Sequence, residues 1–308
     1  MPAEDFLKVT ELIRQKQSTD DITVVMTGGE PLLRGDLAET GRKLREQGFR
    51  WSLVTNGYLL DPPRLNELLN AGLGAITVSL DGPEAEHNWL RNNNESYQRA
   101  LETIRLVAKA KRLNSDVVTC VNQRNIHLLP EIQEILAYTG IRKWRLFTIT
   151  PIGRAAGVED LSLTSGQLNQ LMNFIEKNRK SGAVPRASFS CESYLGNLEA
   201  KVRDGYFFCR AGIHIGSVLA DGGIAACPNI DRNLVQGNIY TDDFNEIWEN
   251  RFLPFRNREW TKINECLNCN QYRYCEGNGM HWWDYENRRM HGCNWQSAAG
   301  SGHPSCQR

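Results

Sequence analysis

Cysteine is missing from the front of this 308-residue chain: none occurs before Cys120, although nine are present in all. Net charge is missing too, since 36 basic residues balance 36 acidic ones and the basic ones are scattered. Such a chain has no field with which to gather nucleic acid or an anionic membrane surface. It lacks any apolar run of the length a bilayer crossing needs. Its first residues, Met1-Pro2-Ala3-Glu4-Asp5, are acidic where a signal peptide is basic, and no apolar core of such a peptide follows. These absences predict a cytoplasmic protein with no nucleic-acid partner and no membrane span.

What is present is a regular alternation. Apolar spacing predicts helices at 2–17, 36–47, 63–70, 96–112, 129–138 and 165–180, and strands at 22–27, 51–57, 75–82, 116–121 and 143–150. Helix and strand alternating in this way is the pattern of parallel βαβ units. The strands read as near-continuous apolar runs, as expected when both faces are covered. Their C-terminal ends carry polar residues: Glu30, Thr55 with Asn56, Ser79 with Asp81, Asn122 and Arg154. In an α/β barrel those ends converge on one face, where sites are built. Each alone reads as a helix cap, whereas the whole succession favours a shared pocket.

The sharpest of these ends is Gly28-Gly29-Glu30-Pro31, directly after the strand at 22–27. Two glycines allow a ligand to approach the backbone at contact distance. Glu30 offers a carboxylate that accepts hydrogen bonds from an ammonium group. Taken by itself the stretch is an ordinary strand-to-helix turn.

After Gly182 the alternation stops, and Gly, Asn, Asp, aromatic residues and cysteines take over, with one helix at 242–250. The domain boundary is placed near 182–185, giving domains 1–183 and 184–308. A segment so poor in aliphatic residues needs cross-linking by metal to hold its shape. Clustered cysteines in a chain with no export signal argue for metal over disulfides. Cys266-x2-Cys269-x5-Cys275, followed by Cys293, offers four thiolates that suit a tetrahedral zinc ion and an iron–sulfur cluster equally well. Upstream, 217–226 reads as a hairpin turning at Asp221-Gly222, which would bring Cys209 and Cys227 to its open end.

With these residues together, the chain resembles the radical SAM superfamily with a C-terminal SPASM domain. The resemblance rests on the Gly28-Gly29-Glu30-Pro31 turn, the Ser79-Leu80-Asp81-Gly82 strand end, the Pro151-Ile152-Gly153-Arg154 segment, and the ordered cysteines from Cys209 to Cys293. It covers nearly the whole chain. Within the superfamily the chain is most similar to peptide and protein maturases, in particular the lipoprotein-associated group. The implied fold is α/β: a partial (β/α)6 TIM-like barrel missing its first strand, plus the small cysteine-rich SPASM domain. The implied activity is that of an oxidoreductase or maturase. It would use S-adenosylmethionine and [4Fe–4S] clusters to modify a peptide or small protein by hydrogen abstraction, with electrons from a flavodoxin or ferredoxin. The alternative is a non-catalytic iron–sulfur or peptide-binding homologue.

Carried over residue by residue, Gly28, Gly29 and Glu30, in the turn closed by Pro31, would hold the methionyl ammonium. Thr55, Asn56, Ser79, Asp81, Asn122 and Arg154 would line the carboxylate, ribose and adenine. Cys266, Cys269, Cys275 and Cys293 would complete one auxiliary cluster. Cys209 and Cys227, with Cys191 as third ligand, would mark a second. Gly279 stands where the family has a further cysteine, so that second cluster has an open iron, has a non-cysteine ligand, or is missing. No catalytic acid or base is assigned. Cys120 reads as a core residue and His281-Trp282-Trp283 as aromatic packing, while His87 and Arg91 read equally as barrel-mouth residues or a solvated helix start.

The family cleaves S-adenosylmethionine at a cluster held by a C-x3-C-x2-C loop after its first strand, and neither is found in this sequence. One explanation is a non-catalytic homologue that keeps its auxiliary clusters. The other is a truncated reading frame whose Met1 is an internal methionine. An unpaired parallel edge and an uncovered helix face are aggregation liabilities. A chain long freed from catalysis would also be free to lose Glu30 and the polar strand ends. The expectation is therefore that in-frame DNA upstream of Met1 encodes a strand and the three-cysteine loop. A clean stop codon and a ribosome-binding site there would overturn it.

Overall fold

The computed structural model describes residues 1–190 and 193–298. The chain forms two compact units, one of residues 1–120, 127–146 and 181–187, the other of residues 121–126, 147–180 and 188–308. Strands and helices of the first unit run in the order α1 (Ala3–Lys16), β1 (Thr23–Met26), α2 (Leu37–Glu46), β2 (Arg50–Thr55), α3 (Pro62–Asn70), β3 (Leu73–Ser79), α4 (Glu84–Arg91), α5 (Ser96–Ala108), β4 (Asn114–Val121), α6 (Leu129–Ala137) and β5 (Lys143–Thr148). After α7 (Ser165–Ser181) comes β6 (Arg186–Phe189), and the sheet follows chain order from β1 to β6. From β1 through β4 the strands pair in parallel, which helix crossovers allow and hairpins do not. This is the α/β architecture expected from the alternation. The sheet runs on past position 183, because β6 follows the turn at Gly182.

The helices form for local reasons. Helix α1 has Glu4 and Asp5 in its first turn and Arg14 and Lys16 in its last, each sign matching the helix dipole. Asp61 caps α3 by accepting from the Arg64 amide at 2.7 Å, and Pro62 supplies a preset φ at its start. Strand β2 alternates exposed and inward positions, burying Trp51, Leu53 and Thr55. Trp51 fills the space left by Gly41 in the middle of α2, where a Cβ would sit inside the indole ring. Its ring N–H donates to the Ala71 carbonyl at 3.0 Å, so the burial leaves no orphaned donor. Trp144 is buried in the same manner, donating to Thr119 Oγ1 at 2.8 Å. Strand β1 stands at the end of the strand order, and none of its four residues is buried.

The second unit has a different interior. Helix α7 buries Leu168, Leu171, Met172 and Ile175. Beyond it, β7 (Ser217–Val218), β8 (Gly223–Ala225) and β9 (Gly237–Asn238) make a three-stranded antiparallel sheet. The β7–β8 hairpin turns where the sequence indicated, with Gly222 at φ +84°. Edge-to-face aromatic contacts join buried Ile224, Leu234 and Ile247 in the packing: Trp248 with Phe252 at 5.4 Å, Phe252 with Phe255 at 5.7 Å, and Trp260 with Trp283 at 5.3 Å. Among the described residues no helix is long and apolar enough to cross a membrane.

Candidate functional site

The end of β1 delivers Gly28 at φ +121°, a conformation that glycine takes without the cost a side chain would add. Both Gly28 and Gly29 are exposed, and a Cβ on either would meet nothing within 4 Å. Their backbone is open to close approach, as the sequence suggested. Glu30 already has partners within the chain. Its Oε1 accepts from the Leu32 amide at 3.0 Å and the Thr55 hydroxyl at 2.7 Å, and its Oε2 accepts from the Asn56 amide at 2.8 Å. The carboxylate expected to receive an ammonium group is thus a staple between the β1 turn and the end of β2. Pro31 is buried and starts the 3-10 turn Pro31–Leu33.

Thr55 and Asn56 belong to the same staple. Thr55 Oγ1 also accepts from the Gly57 amide at 3.0 Å, and Asn56 Oδ1 accepts from the Tyr58 amide at 2.8 Å. Gly57, at φ +79°, passes close to Val78 and Thr103, and its carbonyl accepts from the Thr103 hydroxyl at 2.6 Å. The polar groups of this strand end hold the backbone in place. What they leave presented is the Gly28–Gly29 main chain.

Asp81, itself buried, sits in a separate cluster. Its Oδ2 pairs with Arg91 at 2.7 and 2.8 Å, and its Oδ1 accepts from the Cys120 amide at 2.9 Å. The Asp81 amide donates to His87 Nδ1 at 3.0 Å, so the His87 proton resides on Nε2, 3.1 Å from Ser96 Oγ. His87 is 1% exposed, and burial draws its pKa down to about 4 despite the attraction of Asp81. Helix α4, which the periodicity did not reveal, carries both His87 and Arg91 inward. They are neither a solvated helix start nor open to a barrel mouth in the case of His87. Cys120 is half-buried rather than a core residue. Ser79 ends β3, half-buried.

Asn122 and Arg154 fall in the second unit. Asn122 is buried and caps its own loop, accepting from the amides of Arg124 at 2.9 Å and Asn125 at 3.2 Å. Arg154 is exposed in the 3-10 turn Gly153–Ala155. Of the strand-end residues, the structure therefore brings Gly28, Gly29, Glu30, Thr55 and Asn56 together and holds Asp81 in its own ion-paired group.

The clearest cavity lies within the second unit. Cys266, Cys269, Cys275 and Cys293 all line it, with Tyr194 and Asn278. Cys266 closes the 3-10 turn Asn264–Cys266, and Cys275 ends the short helix Tyr272–Cys275. Three residues of positive φ then turn the chain: Glu276, Gly277 and Asn278. A Cβ on Gly277 would overlap Thr261, and the Gly277 carbonyl accepts from Trp283 Nε1 at 2.6 Å, so the turn is clamped.

Two of these thiols, Cys266 and Cys275, resist ionisation because burial disfavours the thiolate. Burial and then the neighbouring Cys293 and Cys269 push the Cys266 thiol up to about 12. Cys275 is pushed higher by burial and the other thiols, against a backbone hydrogen bond from Asn278 that favours its thiolate. Such a set becomes thiolate only when a cation takes up the charge. A zinc ion would need its sulfurs about 2.3 Å from one point. Among the described residues no three His, Cys, Asp or Glu side chains are grouped to hold a metal ion in that way. Four thiols around one cavity suit a [4Fe–4S] core, which takes four cysteine ligands. Asn278 adds an orphaned donor there, since its Nδ2 is buried without a partner. The residues fit the cluster.

Cys209 and Cys227 are half-buried elsewhere in this unit, and Cys191 and Cys306 lie outside the described residues. The Cys209 carbonyl accepts from Arg258 Nη2 at 2.5 Å, and that guanidinium stacks 4.4 Å above Phe208. Trp282 and Trp283 are buried, in keeping with packing, and burial lowers the pKa of the half-buried His281 to about 4. Asn278 and Arg258 escaped the sequence reading. For Asn278 a signal existed, because Glu-Gly-Asn-Gly directly after a cysteine marks a tight left-handed turn.

Residues 1–153 match the model of the radical SAM superfamily, and residues 209–270 match that of SPASM, an iron–sulfur cluster-binding domain. The chain is 27% identical over 271 residues to an AdoMet-dependent heme synthase of Methanosarcina barkeri, covering 82% of this chain and 76% of that one. It is 26% identical over 273 residues to the mycofactocin maturase MftC of Mycolicibacterium smegmatis, covering 88% and 69%. Among solved structures it is similar to native anSMEcpe with bound AdoMet and Kp18Cys peptide, with a TM-score of 0.71, 18% identity, and coverage of 97% and 87%. It is also similar to Streptococcus suis SuiB bound to S-adenosylmethionine, with a TM-score of 0.69 and 16% identity, covering 90% of this chain but only 65% of that one.

Proposed function

Because this chain is a radical SAM protein with a SPASM domain, we propose that it acts with S-adenosylmethionine and [4Fe–4S] clusters to modify a peptide or small protein. The observation that carries the reading is the gathering of Cys266, Cys269, Cys275 and Cys293 around one cavity. S-adenosylmethionine supplies hydrogen-abstracting radical chemistry in such enzymes. This sequence holds no cysteine before Cys120, so no step is assigned here to a cluster that would cleave it. The chain's own residues do more limited work. The open Gly28–Gly29 backbone offers main-chain contacts to the methionyl end, and Glu30 keeps that backbone rigid by tying it to Thr55 and Asn56. The Asp81–Arg91 pair fixes the neighbouring strand end. The four thiols release their protons as they take up iron, and they hold the auxiliary cluster in a dry pocket.

The similar maturase favours a peptide substrate. The similar heme synthase supports a second reading, in which the substrate is a tetrapyrrole. Anaerobic reconstitution of the full chain with iron and sulfide tests the common part. About four irons per chain bound at Cys266, Cys269, Cys275 and Cys293, with visible charge-transfer absorption, are expected. Cys275→Ser should abolish that share of the iron. Stoichiometric zinc without a chromophore would sink the proposal. A porphyrin that perturbs the visible spectrum on titration, where short peptides do not bind, would favour the second substrate class.

A further inference from the structure

We propose that Asn278 donates a hydrogen bond from its side-chain amide to the cluster held by Cys266, Cys269, Cys275 and Cys293, and thereby raises that cluster's reduction potential. The inference rests on the reading that this cavity holds an iron–sulfur cluster, and it adds a residue the cysteine pattern does not contain. Asn278 is 2% exposed and lines the cavity itself. Its Oδ1 accepts from the Tyr194 amide at 2.8 Å. That bond settles the orientation of the amide, because a flipped side chain would set its NH2 against the Tyr194 N–H. The NH2 group is left in the cavity with no partner on Nδ2. Buried side-chain donors are nearly always satisfied, and one left open in a thiol-lined pocket points to an acceptor that fills it. Sulfide and thiolate sulfurs of a cluster are such acceptors.

The backbone prepares this placement. Asn278 stands at φ +70°, a region that asparagine enters more readily than other residues bearing a Cβ. Gly277 before it is clamped between Thr261 and Trp283. The Asn278 amide donates to the Cys275 carbonyl at 3.1 Å, which ties the donor to the ligand loop. Reduction adds negative charge to the cluster, and a hydrogen bond to its sulfur stabilises the more negative state more strongly. The expected direction is therefore a higher potential with Asn278 than without it.

The test uses the full chain in a Cys209→Ser/Cys227→Ser background, so that only the four-cysteine cluster is read in an EPR-monitored redox titration. Asn278→Asp keeps the Oδ1 anchor and replaces the NH2 by oxygen, and Asn278→Gly removes the donor without adding charge. In each, the ratio of oxidised to reduced cluster at a fixed potential should rise at least tenfold, which for a one-electron couple is a midpoint lowered by about 59 mV. The unsubstituted protein supplies an independent measurement. With asparagine labelled by 15N at the side-chain amide, pulsed EPR of the reduced cluster should show coupling to one such nitrogen. Unchanged midpoints in both variants, or no coupling in the unsubstituted protein, would overturn the inference. Failure to take up iron at all would instead count against the cluster reading on which it rests.

Discussion

Replacing Glu30 by glutamine tests what the shape of the β1 turn depends on in this molecule, namely a carboxylate acting as a two-sided acceptor. Glu30 Oε1 serves the Leu32 amide and the Thr55 hydroxyl, and Oε2 serves the Asn56 amide at 2.8 Å. Glutamine has one acceptor oxygen. Placed at the Oε1 position it keeps two of the three bonds but turns an NH2 group toward the Asn56 N–H, donor against donor. A hydrogen bond to a charged acceptor contributes about 1.5–3 kcal/mol, and the half-buried setting argues for about 2 kcal/mol lost here. At about 1.36 kcal/mol per tenfold, local opening becomes roughly 30-fold easier. Hydrogen exchange followed by mass spectrometry reads this directly, because the loss is local and the two-unit chain need not unfold in one step. Amides around Asn56 should exchange roughly 30-fold faster in Glu30→Gln, while those around Leu32 change less. Parent-like exchange at Asn56, or acceleration confined to the Leu32 side, would refute the staple.

Two other perturbations probe the first unit. Gly41→Ala gains about 1 kcal/mol of helix propensity, but its methyl would overlap the buried Trp51 indole, and overpacking costs about 1–3 kcal/mol. A lowered thermal midpoint is expected, and a raised one would show that Trp51 can move aside. His87 makes stability depend on pH. Its folded pKa of about 4 lies below the ordinary histidine value of 6.5, so the folded state resists protonation, and its contribution, present above 6.5, is lost as pH falls toward 4. The loss approaches about 3 kcal/mol at the lower end. His87→Gln, with no titrating ring, should flatten that part of the stability–pH curve. An unaltered acid slope in the variant would remove His87 as its cause.

Much of this was legible from particular residues. The spacing of Leu, Ile and Val placed most helices of the first unit to within a few residues, because helix and strand periods differ enough to be told apart. Helix α4 was missed: at eight residues it is too short to establish a period. Strand β6 was missed as well, because its four residues follow a turn that resembles a domain boundary. The aromatic interior of the second unit could not be read whole from spacing, since Trp260 and Trp283 meet across a loop connection and not through a repeat.

By itself, the order of residues determined the parallel βαβ plan, the open Gly28–Gly29 turn and a run of four cysteines with metal-ligand spacing, because each is written in local pattern. Only the tertiary structure decided which partners within the chain the polar strand-end side chains take. Glu30 and Asp81 stand at strand ends, and the donors that claim them, Asn56 and Arg91, lie 26 and 10 residues away. The same holds for the thiols. Spacing permits zinc as readily as a cluster, whereas the unsatisfied amide of Asn278 beside the four thiols depends on where distant chain segments come to rest.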